Sequence, residues 1–454
     1  MIRRILGLFA KSCYVGYTAT PFANIFINPD AYDEDARDEL FPRDFIYSLD
    51  APNTYFGPEK VFLDEDSSSV VLQSVIDCED YLPFSHKKGD AVIELPPSLY
   101  RAMDQFIVAR AIRNLRGHSR KHCSMMINIS RFVTIQQEVR NFISIREKRV
   151  REAVKANYMM PEEVSSRNQY MTALRDVFES EYSSCGFEWD EVKKSLVTVF
   201  DSLRIFVVNS KSDEVLDFKK YERDGVGLTA IAIGGLSLSR GLTIEGLTVS
   251  YMYRNTRMYD TLMQMGRWFG YRPGFEDLCR VHLSEDSINW YSHIANASEE
   301  LREQIKRMRR DGMSPKQFGL YVQSHPDRLL ITAANKMRTG EKVVFNQNFT
   351  GTIKECTLLP IDSKVNTENE TLIQEFWRSG FGKNTIETRK GWFMPDVDID
   401  LISAFVTQFK VHAASDSLRS SVLDYLHAIS DRFPLRDVLP FSKGVGNSCE
   451  FMLG

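Results

Sequence analysis

The sequence predicts an α/β protein built on a parallel sheet. Short apolar runs of about four to eight residues, the length of a buried strand, alternate with longer segments whose apolar residues recur at helical spacing. Strands that are apolar throughout, instead of alternately apolar and polar, indicate a sheet that is covered on both faces. The predicted strands span residues 123–129, 204–209, 228–233, 247–253 and 278–283.

The first third of the chain is predicted to contain fewer regular elements. A helix over residues 2–10 precedes a short strand at 13–17, and the acid- and proline-rich stretch 28–66 reads as irregular. Two prolines then precede Ser98, a residue type that caps helices well. We therefore predict a helix over 99–116 with Ser98 at its start.

The remaining segments are predicted from charge and periodicity. Residues 135–200 are charged and helical in pattern, and another helix begins near Tyr259. From about residue 335 onward the chain changes character, with two predicted strands in 343–359 and helices over 402–428.

Composition limits the possible functions. A length of 454 residues fits about three domains, and a 43% hydrophobic content is ample for buried cores. The 57 basic and 61 acidic residues balance to a net charge of −4, which excludes a uniformly basic nucleic-acid-binding surface but allows a local basic groove. Apolar runs are all too short for a membrane span or a signal peptide, so we expect a cytoplasmic protein without membrane contacts.

Cysteine and histidine spacing predicts no metal site. The seven cysteines are scattered, and none forms the closely spaced pairs of a zinc ribbon. His118, His122 and Cys123 lie close together, but no second cluster completes a tetrahedral site. A solvated helix end is the preferred interpretation of these three residues.

The first motif with chemical content is GYTATPFANIF, residues 16–26. A strand that ends in Thr18 and Thr20 exposes hydroxyl groups at a sheet edge, and ligands of α/β sheets bind at the carboxyl ends of strands. A plain turn terminated by proline is the alternative interpretation.

The second motif is GGLSLSRGLTIEGLT, residues 234–248, which directly follows an apolar strand. Its glycines, including Gly241, allow close backbone approach, while Ser239 and Thr243 supply hydroxyl groups and Arg240 a guanidinium. Such a loop is suited to contact a nucleic-acid phosphate backbone. The alternative is a glycine-rich turn whose arginine pairs with a nearby acid.

The third motif is YDTLMQMGRWFGYRPG, residues 259–274, in which Gln264, Arg267 and Arg272 stand among aromatic residues. An arginine that reaches a transferring phosphoryl group stabilises the charge that develops on its oxygens. We interpret the aromatic residues as core and interface packing in preference to a surface for base stacking.

In this order the motifs resemble the later half of a superfamily-2 helicase-type ATPase, in which two RecA-like lobes hold ATP between them. The resemblance implies that Thr18 and Thr20 couple the ATP state to nucleic acid, and that residues 124–132 open the second lobe. It also implies that the Arg240–Gly241 loop contacts nucleic acid and that residues 264–272 form the arginine-finger motif.

More narrowly, GYTATPFANIFINP, LPPSL, SRGLTIEGLT and GRWFGYRPG are similar to the Z1 domain family, over about residues 1–340. Members are labelled endonucleases, and they accompany helicase domains among restriction and phage-defence genes. The resemblance implies a second RecA-like lobe at 95–330 with a helical insertion at 135–200. Residues 1–60 are then a remnant of the first lobe, 61–94 a linker, and 331–454 a family-specific mixed α+β domain.

Two departures from the helicase pattern shape the expected activity. The sequence contains no G-x-x-x-x-G-K-S/T loop, and no strand ending in Asp-Glu precedes Thr18. We therefore expect a C-terminal fragment that hydrolyses no ATP alone and uses ATP and magnesium only when the missing first lobe is supplied. Gln264 and Arg267 are three residues apart, and Arg267 and Arg272 five, whereas helicases commonly show four and three. Arg267 is the first choice for the finger and Arg272 the second.

The sequence leaves three functions open. The preferred one is the C-terminal part of a helicase-like ATPase that acts on DNA, in preference to RNA, in phage defence, restriction or repair. The first alternative is a non-catalytic DNA- or partner-binding subunit that works with a separate polypeptide carrying the first lobe. The second is a metal-dependent endonuclease that uses Glu191 with Lys193, or Glu214 with Lys219, although both pairs lie in charged, predicted helical stretches.

Overall fold

The structure is a computed structural model, and the chain divides into two compact units, residues 1–340 and 341–454. The division falls slightly after the predicted boundary at 330. The residues that the structure describes are 2–6, 8–18, 22–25, 32–33, 37–38, 41–209, 216–238, 242–253, 259–318, 320, 322, 360–378, 386–388, 391–412, 416–430 and 434–438.

A six-stranded sheet forms the centre of the larger unit. The spatial order of its strands is β1-β6-β5-β2-β4-β3, and every neighbouring pair is parallel, which confirms the predicted parallel α/β sheet. The strands are β1 (Leu72–Ser74), β2 (Cys123–Asn128), β3 (Leu203–Val208), β4 (Thr229–Gly234), β5 (Leu247–Met252) and β6 (Arg280–Leu283).

Continuous burial of the inner strands explains why β2, β4 and β5 are mainly apolar. Strand β6 also buries Arg280 and His282, whose side chains are hydrogen-bonded to Glu181 and Gln105. Every residue of β2, β4, β5 and β6 is buried. Such strands have no face in contact with water, so both faces of the sheet are covered. The five strands predicted between residues 123 and 283 all lie within two residues of the observed bounds.

The segment predicted as a linker, residues 61–94, instead contributes to the sheet. Its strand β1 is an edge strand whose three residues pair with Val281–Leu283. The sequence Leu-Gln-Ser carries no apolar run, because an edge position of this length demands little burial. Periodicity therefore gave no indication of this strand.

Four helices matter for the site: α1 (Pro97–Arg113), α2 (Val133–Asn157), α3 (Tyr259–Met265) and α4 (Glu285–Arg310). The other helices of this unit are Ile2–Leu6, Phe22–Ile25, Glu65–Val71, Cys78–Tyr81, Glu162–Ser165, Gln169–Val177, Trp189–Ser195, Phe218–Arg223 and Pro315–Phe318. Short π or 3₁₀ turns span Glu59–Leu63, Asn114–His118, Phe178–Tyr182, Leu196–Phe200, Leu236–Leu238 and Glu276–Leu278. The helical character predicted for 135–200 is confirmed.

Helix α1 starts differently from the prediction. It begins at Pro97, a position where proline loses no hydrogen bond, and Ser98 is already inside the helix. Asp77 caps it from outside, since its carboxylate accepts from the Ser98 amide at 2.8 Å and the Ser98 hydroxyl at 2.5 Å. The prediction of Ser98 as the cap is therefore wrong.

The chain start also differs from expectation. The first helix ends at Leu6, short of the predicted residue 10, and residues 12–18 have no regular secondary structure. The prediction of a strand at 13–17 is wrong. No strand in the described ranges lies beside this segment to pair with its backbone amides and carbonyls.

A buried arginine holds the amino edge of the sheet together. Arg113 is 1% exposed and donates to the carbonyls of His122 at 2.9 Å and Gly246 at 3.1 Å, and to the Thr248 hydroxyl at 3.0 Å. Its guanidinium carbon also lies 3.9 Å from the centroid of the Phe275 ring. One side chain therefore joins α1 to the starts of β2 and β5.

The smaller unit has a three-stranded antiparallel sheet of Ile386–Thr388, Gly391–Asp398 and Leu435–Val438, with Gly391–Asp398 in the middle. Its helices are Ser363–Phe376, Ile399–Gln408 and Asp416–Ser430, so the helices predicted over 402–428 are confirmed. The strands predicted in 343–359 lie outside the described residues.

Two small antiparallel pairs complete the larger unit. Tyr32–Asp33 pairs with Arg37–Asp38, and Tyr55–Phe56 pairs with Gly270–Tyr271. No helix within the described ranges has the length and apolar character needed to cross a membrane.

Candidate functional site

Two contacts bring the three sequence motifs together. Phe22, which follows the Thr-Ala-Thr-Pro string, packs edge-to-face on Tyr259 at the start of α3, with ring centroids 5.8 Å apart. Just beyond the end of α3, the Arg267 guanidinium donates to the carbonyl of Leu242 in the second motif. Helix α3 and the loop after it therefore contact both of the other motifs.

The first motif is held by its aromatic residue. Phe22 is 1% exposed and Tyr259 is completely buried, so this contact belongs to the core. Tyr17 is 92% exposed, and Thr18 is also exposed. Thr20, the other predicted coupling residue, lies outside the described residues.

Close packing explains the glycines that border the second motif. A Cβ at Gly234 would lie 2.6 Å from the carbonyl oxygen of Val208. Gly246 has a φ of +63°, and its Cβ would lie 2.0 Å from the carbonyl oxygen of His122. Both ends of the loop are thus fixed against the sheet.

The predicted nucleic-acid contacts are only partly described. Thr243 is exposed, as a residue that contacts a phosphate backbone must be. Ser239, Arg240 and Gly241 lie outside the described residues. Leu242, which directly follows Gly241 in sequence, is described, and its carbonyl accepts the bond from Arg267.

Arg267 is a half-buried cation with spare donor capacity. One Nη donates to Leu242, whereas Nε is buried and has no hydrogen-bond partner among the described residues. Burial lowers the pKa of Arg267 from its usual value, because the low-dielectric surroundings disfavour the charge. A charge held in this way interacts more strongly with an incoming anion than a fully hydrated one does.

Arg272 has its donors turned toward its own loop. It donates to the carbonyls of Trp268 at 2.8 Å and Tyr271 at 2.9 Å. Burial lowers its pKa as well. Gly270 lies beneath it with a φ of +147°, and a Cβ there would be 3.0 Å from Nη1 of Arg272. Arg272 therefore stabilises the turn at residues 268–271 through its hydrogen bonds. Gln264, on α3, is half-buried.

The aromatic residues of the third motif divide into two groups. Trp268 is 2% exposed and packs against Tyr291 at 5.3 Å and Phe62 at 6.4 Å between ring centroids, which confirms the packing interpretation for it. Tyr271 is 59% exposed and lies beside Tyr55 with ring centroids 5.7 Å apart.

The residues considered for metal-dependent nuclease chemistry have structural roles where they are described. The Glu191 carboxylate accepts from the amide of Glu188 at 3.0 Å in a capping box. Lys193 is 2% exposed and donates to the Met160 carbonyl at 3.0 Å and to Glu162 at 3.2 Å. Lys219 lies in the helix Phe218–Arg223, and Glu214 is outside the described residues.

The interpretation of His118, His122 and Cys123 as a solvated helix end is wrong for His122 and Cys123, which are buried at the start of β2. Nδ1 of His122 accepts from the amide of Leu228 at 3.1 Å, and burial lowers the pKa of this histidine. Within the described ranges, no three His, Cys, Asp or Glu side chains are grouped so that they could hold a metal ion.

Sequence reasoning missed two partners that assemble the site. Phe22 lies inside the first motif, but an apolar residue in a motif gives no sign of what it packs against. Leu242 acts through its backbone carbonyl, which every residue has. Only the position of Leu242 directly after Arg240 and Gly241 pointed to a role.

Comparison with known proteins supports the family resemblance. The family model described as the Z1 domain matches residues 98–330, about half of the chain. This range contains strands β2 to β6 of the six-stranded sheet. No curated protein and no solved structure matches the chain. The chain belongs to the Z1 domain family.

Proposed function

We propose that the chain is the part of a helicase-like ATPase acting on DNA that supplies the arginine finger and the nucleic-acid-contacting loop. The hydrogen bond between Arg267 and Leu242 carries the proposal, because it connects the finger candidate to the loop that contains Arg240 and Thr243. The 454 residues contain no phosphate-binding G-x-x-x-x-G-K-S/T loop, so that loop comes from residues outside them.

The chemistry of the site follows from the position of Arg267. Phosphoryl transfer spreads negative charge over the γ-phosphate oxygens, and a guanidinium placed against them stabilises the transition state. Arg267 has a buried Nε with no partner among the described residues, so it has a donor to offer. If the guanidinium rotates toward ATP, its hydrogen bond to the Leu242 carbonyl weakens. Nucleotide binding would then change how the loop at Leu242 is held.

A second candidate function is a subunit that works with a separate polypeptide carrying the first lobe. The observation that favours it is the apolar surface near the chain start, where Leu8 is 81%, Phe9 61% and Tyr17 92% exposed. Exposed apolar side chains this close in sequence are typical of surfaces that another chain covers. Both candidates use the same residues for ATP and DNA.

DNA binding by the full chain tests the proposal. A fluorescein-labelled single-stranded oligodeoxynucleotide is titrated with wild type, Arg240→Ala and the matched control Arg310→Ala, whose arginine is exposed at the end of α4. Fluorescence anisotropy at several salt concentrations should show salt-sensitive binding that Arg240→Ala weakens and Arg310→Ala leaves unchanged. Absence of binding at low salt, or equal weakening by both variants, contradicts the DNA role.

A further inference from the structure

A partly exposed pair of tyrosines lies beside Arg272 in the third motif. Tyr55 and Tyr271 are directly opposite each other in the short antiparallel pairing described above. Their ring centroids are 5.7 Å apart, and the ring planes meet at 67°. Phe56, which follows Tyr55, is 1% exposed and belongs to the hydrophobic core. The backbone of the pair is therefore held by strand pairing and by the core, although Tyr271 is 59% exposed.

Two glycines leave room for this arrangement. A Cβ at Gly57 would lie 2.6 Å from two atoms of the Tyr55 ring, so a larger residue would displace that ring. A Cβ at Gly270 would lie 3.0 Å from Nη1 of Arg272, and the φ of Gly270 is +147°, which disfavours other residues. Each strand of the pairing thus contains or borders a glycine where a neighbouring side chain lies against the backbone.

The Tyr271 ring keeps an open face. In an edge-to-face contact one ring offers its face and the other its edge, so Tyr55 covers at most one face of Tyr271. The exposed fraction of 59% indicates that solvent reaches much of the remaining surface of Tyr271. Nucleobases stack on aromatic rings that are presented in this way, and the stacking depends little on which base is bound.

Positive charge lies close to the pair. Burial raises the pKa of Tyr55, and the charges of Arg302 and Arg272 act in the opposite direction, so both guanidinium groups lie near its hydroxyl. Arg302 pairs with Glu299 at 2.7 Å on the surface. Arg272 donates to two backbone carbonyls and forms no ion pair with a carboxylate in the described ranges. The surroundings therefore favour a ligand that combines a flat ring with negative charge.

We propose that Tyr271, supported by Tyr55, is a stacking platform for a nucleobase, and that the nearby arginines attract the phosphate of the same nucleotide. This inference rests on the proposed function, because it assigns a base contact to a chain that acts on ATP and DNA. The base belongs to single-stranded DNA or to ATP, which share this chemistry. An apolar peptide would use the ring without the cations, so the combination favours a nucleotide.

Oligonucleotides with and without bases test the platform for DNA. Fluorescein-labelled oligodeoxythymidine and a strand of the same length whose sugars lack bases carry the same phosphate charge, and both are titrated with the full chain. The base-free strand should bind at least about tenfold more weakly. Tyr271→Ala should weaken binding of the thymidine strand about tenfold and leave the base-free strand unchanged. Tyr271→Phe should keep the affinity, because it keeps the ring.

Tyr47→Ala provides the matched control. Tyr47 is 57% exposed, close to the value for Tyr271, but the guanidinium of Arg309 already lies 4.0 Å from the centroid of its ring. Its loss should change the affinity for either strand less than about twofold. Circular dichroism confirms that each variant is folded.

Photolabelling tests the platform for ATP. Azido-ATP, which carries its photoreactive group on the adenine, is irradiated with the full chain and magnesium, and tandem mass spectrometry identifies the labelled residues. A label at Tyr271 that excess ATP suppresses assigns the base to ATP. A label elsewhere, with none at Tyr271, excludes ATP as the source.

The proposal is overturned if both arms fail. The DNA arm fails if Tyr271→Ala binds the thymidine strand as wild type does, or weakens both strands equally. DNA binding that Arg240→Ala weakens, with both arms negative at Tyr271, removes the platform and leaves the proposed function intact. Absence of DNA binding at low salt contradicts the DNA role, and photolabelling by azido-ATP alone then decides the platform.

Discussion

The guanidinium of Arg267 donates a hydrogen bond to the backbone carbonyl of Leu242, and the two residues belong to different sequence motifs. The bond spans the loop that follows α3 and the loop that leads into β5. A change in the position of Arg267 therefore reaches the loop that carries Thr243 with no intervening side chain.

Loss of the Arg113 side chain should destabilise the larger unit severely. Arg113→Ala leaves the carbonyl of the buried His122 without a donor and removes one donor each from the Gly246 carbonyl and the Thr248 hydroxyl. With the loss of a fully buried side chain, we expect a cost of about 3 kcal/mol or more in the free energy of unfolding. Urea denaturation measures the loss. Arg113→Lys should recover only part of it, since a lysine cannot present the same fork of donors.

The exposed Arg310 provides the matched control for that experiment. Arg310→Ala should change the free energy of unfolding by less than about 0.5 kcal/mol. If Arg113→Ala proves as mild as Arg310→Ala, the amino edge of the sheet is held by other contacts.

The contact between Phe22 and Tyr259 should control local opening of the first motif. Phe22→Ala removes a buried ring from the core, a change that typically costs about 3–5 kcal/mol. Hydrogen exchange followed by mass spectrometry should show faster exchange of the amides in the helix Phe22–Ile25. Tyr17→Ala, at a ring that is 92% exposed, should leave this exchange unchanged. Equal exchange in wild type and Phe22→Ala contradicts the packing described here.

His282 should make the protein less stable in acid. Burial is the main cause that lowers its pKa to about 3, and the nearby Arg101 and Arg280 add to the effect. The unfolded chain, with a histidine pKa of about 6.5, binds more protons than the folded chain between these values. The contribution of neutral His282 to the free energy of unfolding is therefore fully present above about pH 6.5. It decreases as the pH falls toward about 3, by at most about 1.4 kcal/mol per pH unit.

The variant His282→Gln isolates this effect. Glutamine does not titrate, so the difference in unfolding free energy between wild type and variant should shrink as the pH falls from 7 to 4. Other titrating groups, including the buried Asp104, are present in both proteins and cancel in the difference. A difference that stays constant over this range shows that His282 is not held neutral by the fold.

Arg267 should matter for the rate of ATP hydrolysis once a polypeptide with the phosphate-binding loop is supplied. Arg267→Ala should lower kcat for DNA-stimulated hydrolysis about a thousandfold with little change in KM for ATP, because the guanidinium acts on the transition state. Arg272→Ala should mainly lower the free energy of unfolding, since the Arg272 side chain donates to the carbonyls of Trp268 and Tyr271 in its own loop. A coupled phosphate-release assay and urea denaturation distinguish the two effects. Equal kcat in wild type and Arg267→Ala excludes the finger role.

The central strands could be predicted from the sequence because their environment is uniform. Every residue of β2, β4 and β5 is buried, and most are apolar, so each strand appears in the sequence as a short, mainly apolar segment. The edge strand β1 has no such requirement, and its Leu-Gln-Ser sequence gives no signal.

Contacts between segments that are distant in sequence could not be predicted from local sequence patterns. Asp77, in a different segment, caps α1. The sequence around Ser98 suggested a cap formed by Ser98 itself, so it gave no reason to expect Asp77. For the candidate site, residue types suggested Arg267 and the glycine-bordered loop, since guanidinium groups and glycines have specific chemistry. The partner of Arg267 is a backbone carbonyl, which no residue type reveals.

The salt dependence of DNA binding by Arg267→Ala tests the central claim most directly. If Arg267 acts by positioning the loop, the variant should bind single-stranded DNA about tenfold more weakly with an unchanged slope of log affinity against log salt concentration, because no phosphate contact is lost. Arg240→Ala, which under our proposal loses such a contact, should reduce the slope by about one. Wild-type DNA affinity in Arg267→Ala would contradict the link between the finger motif and the loop.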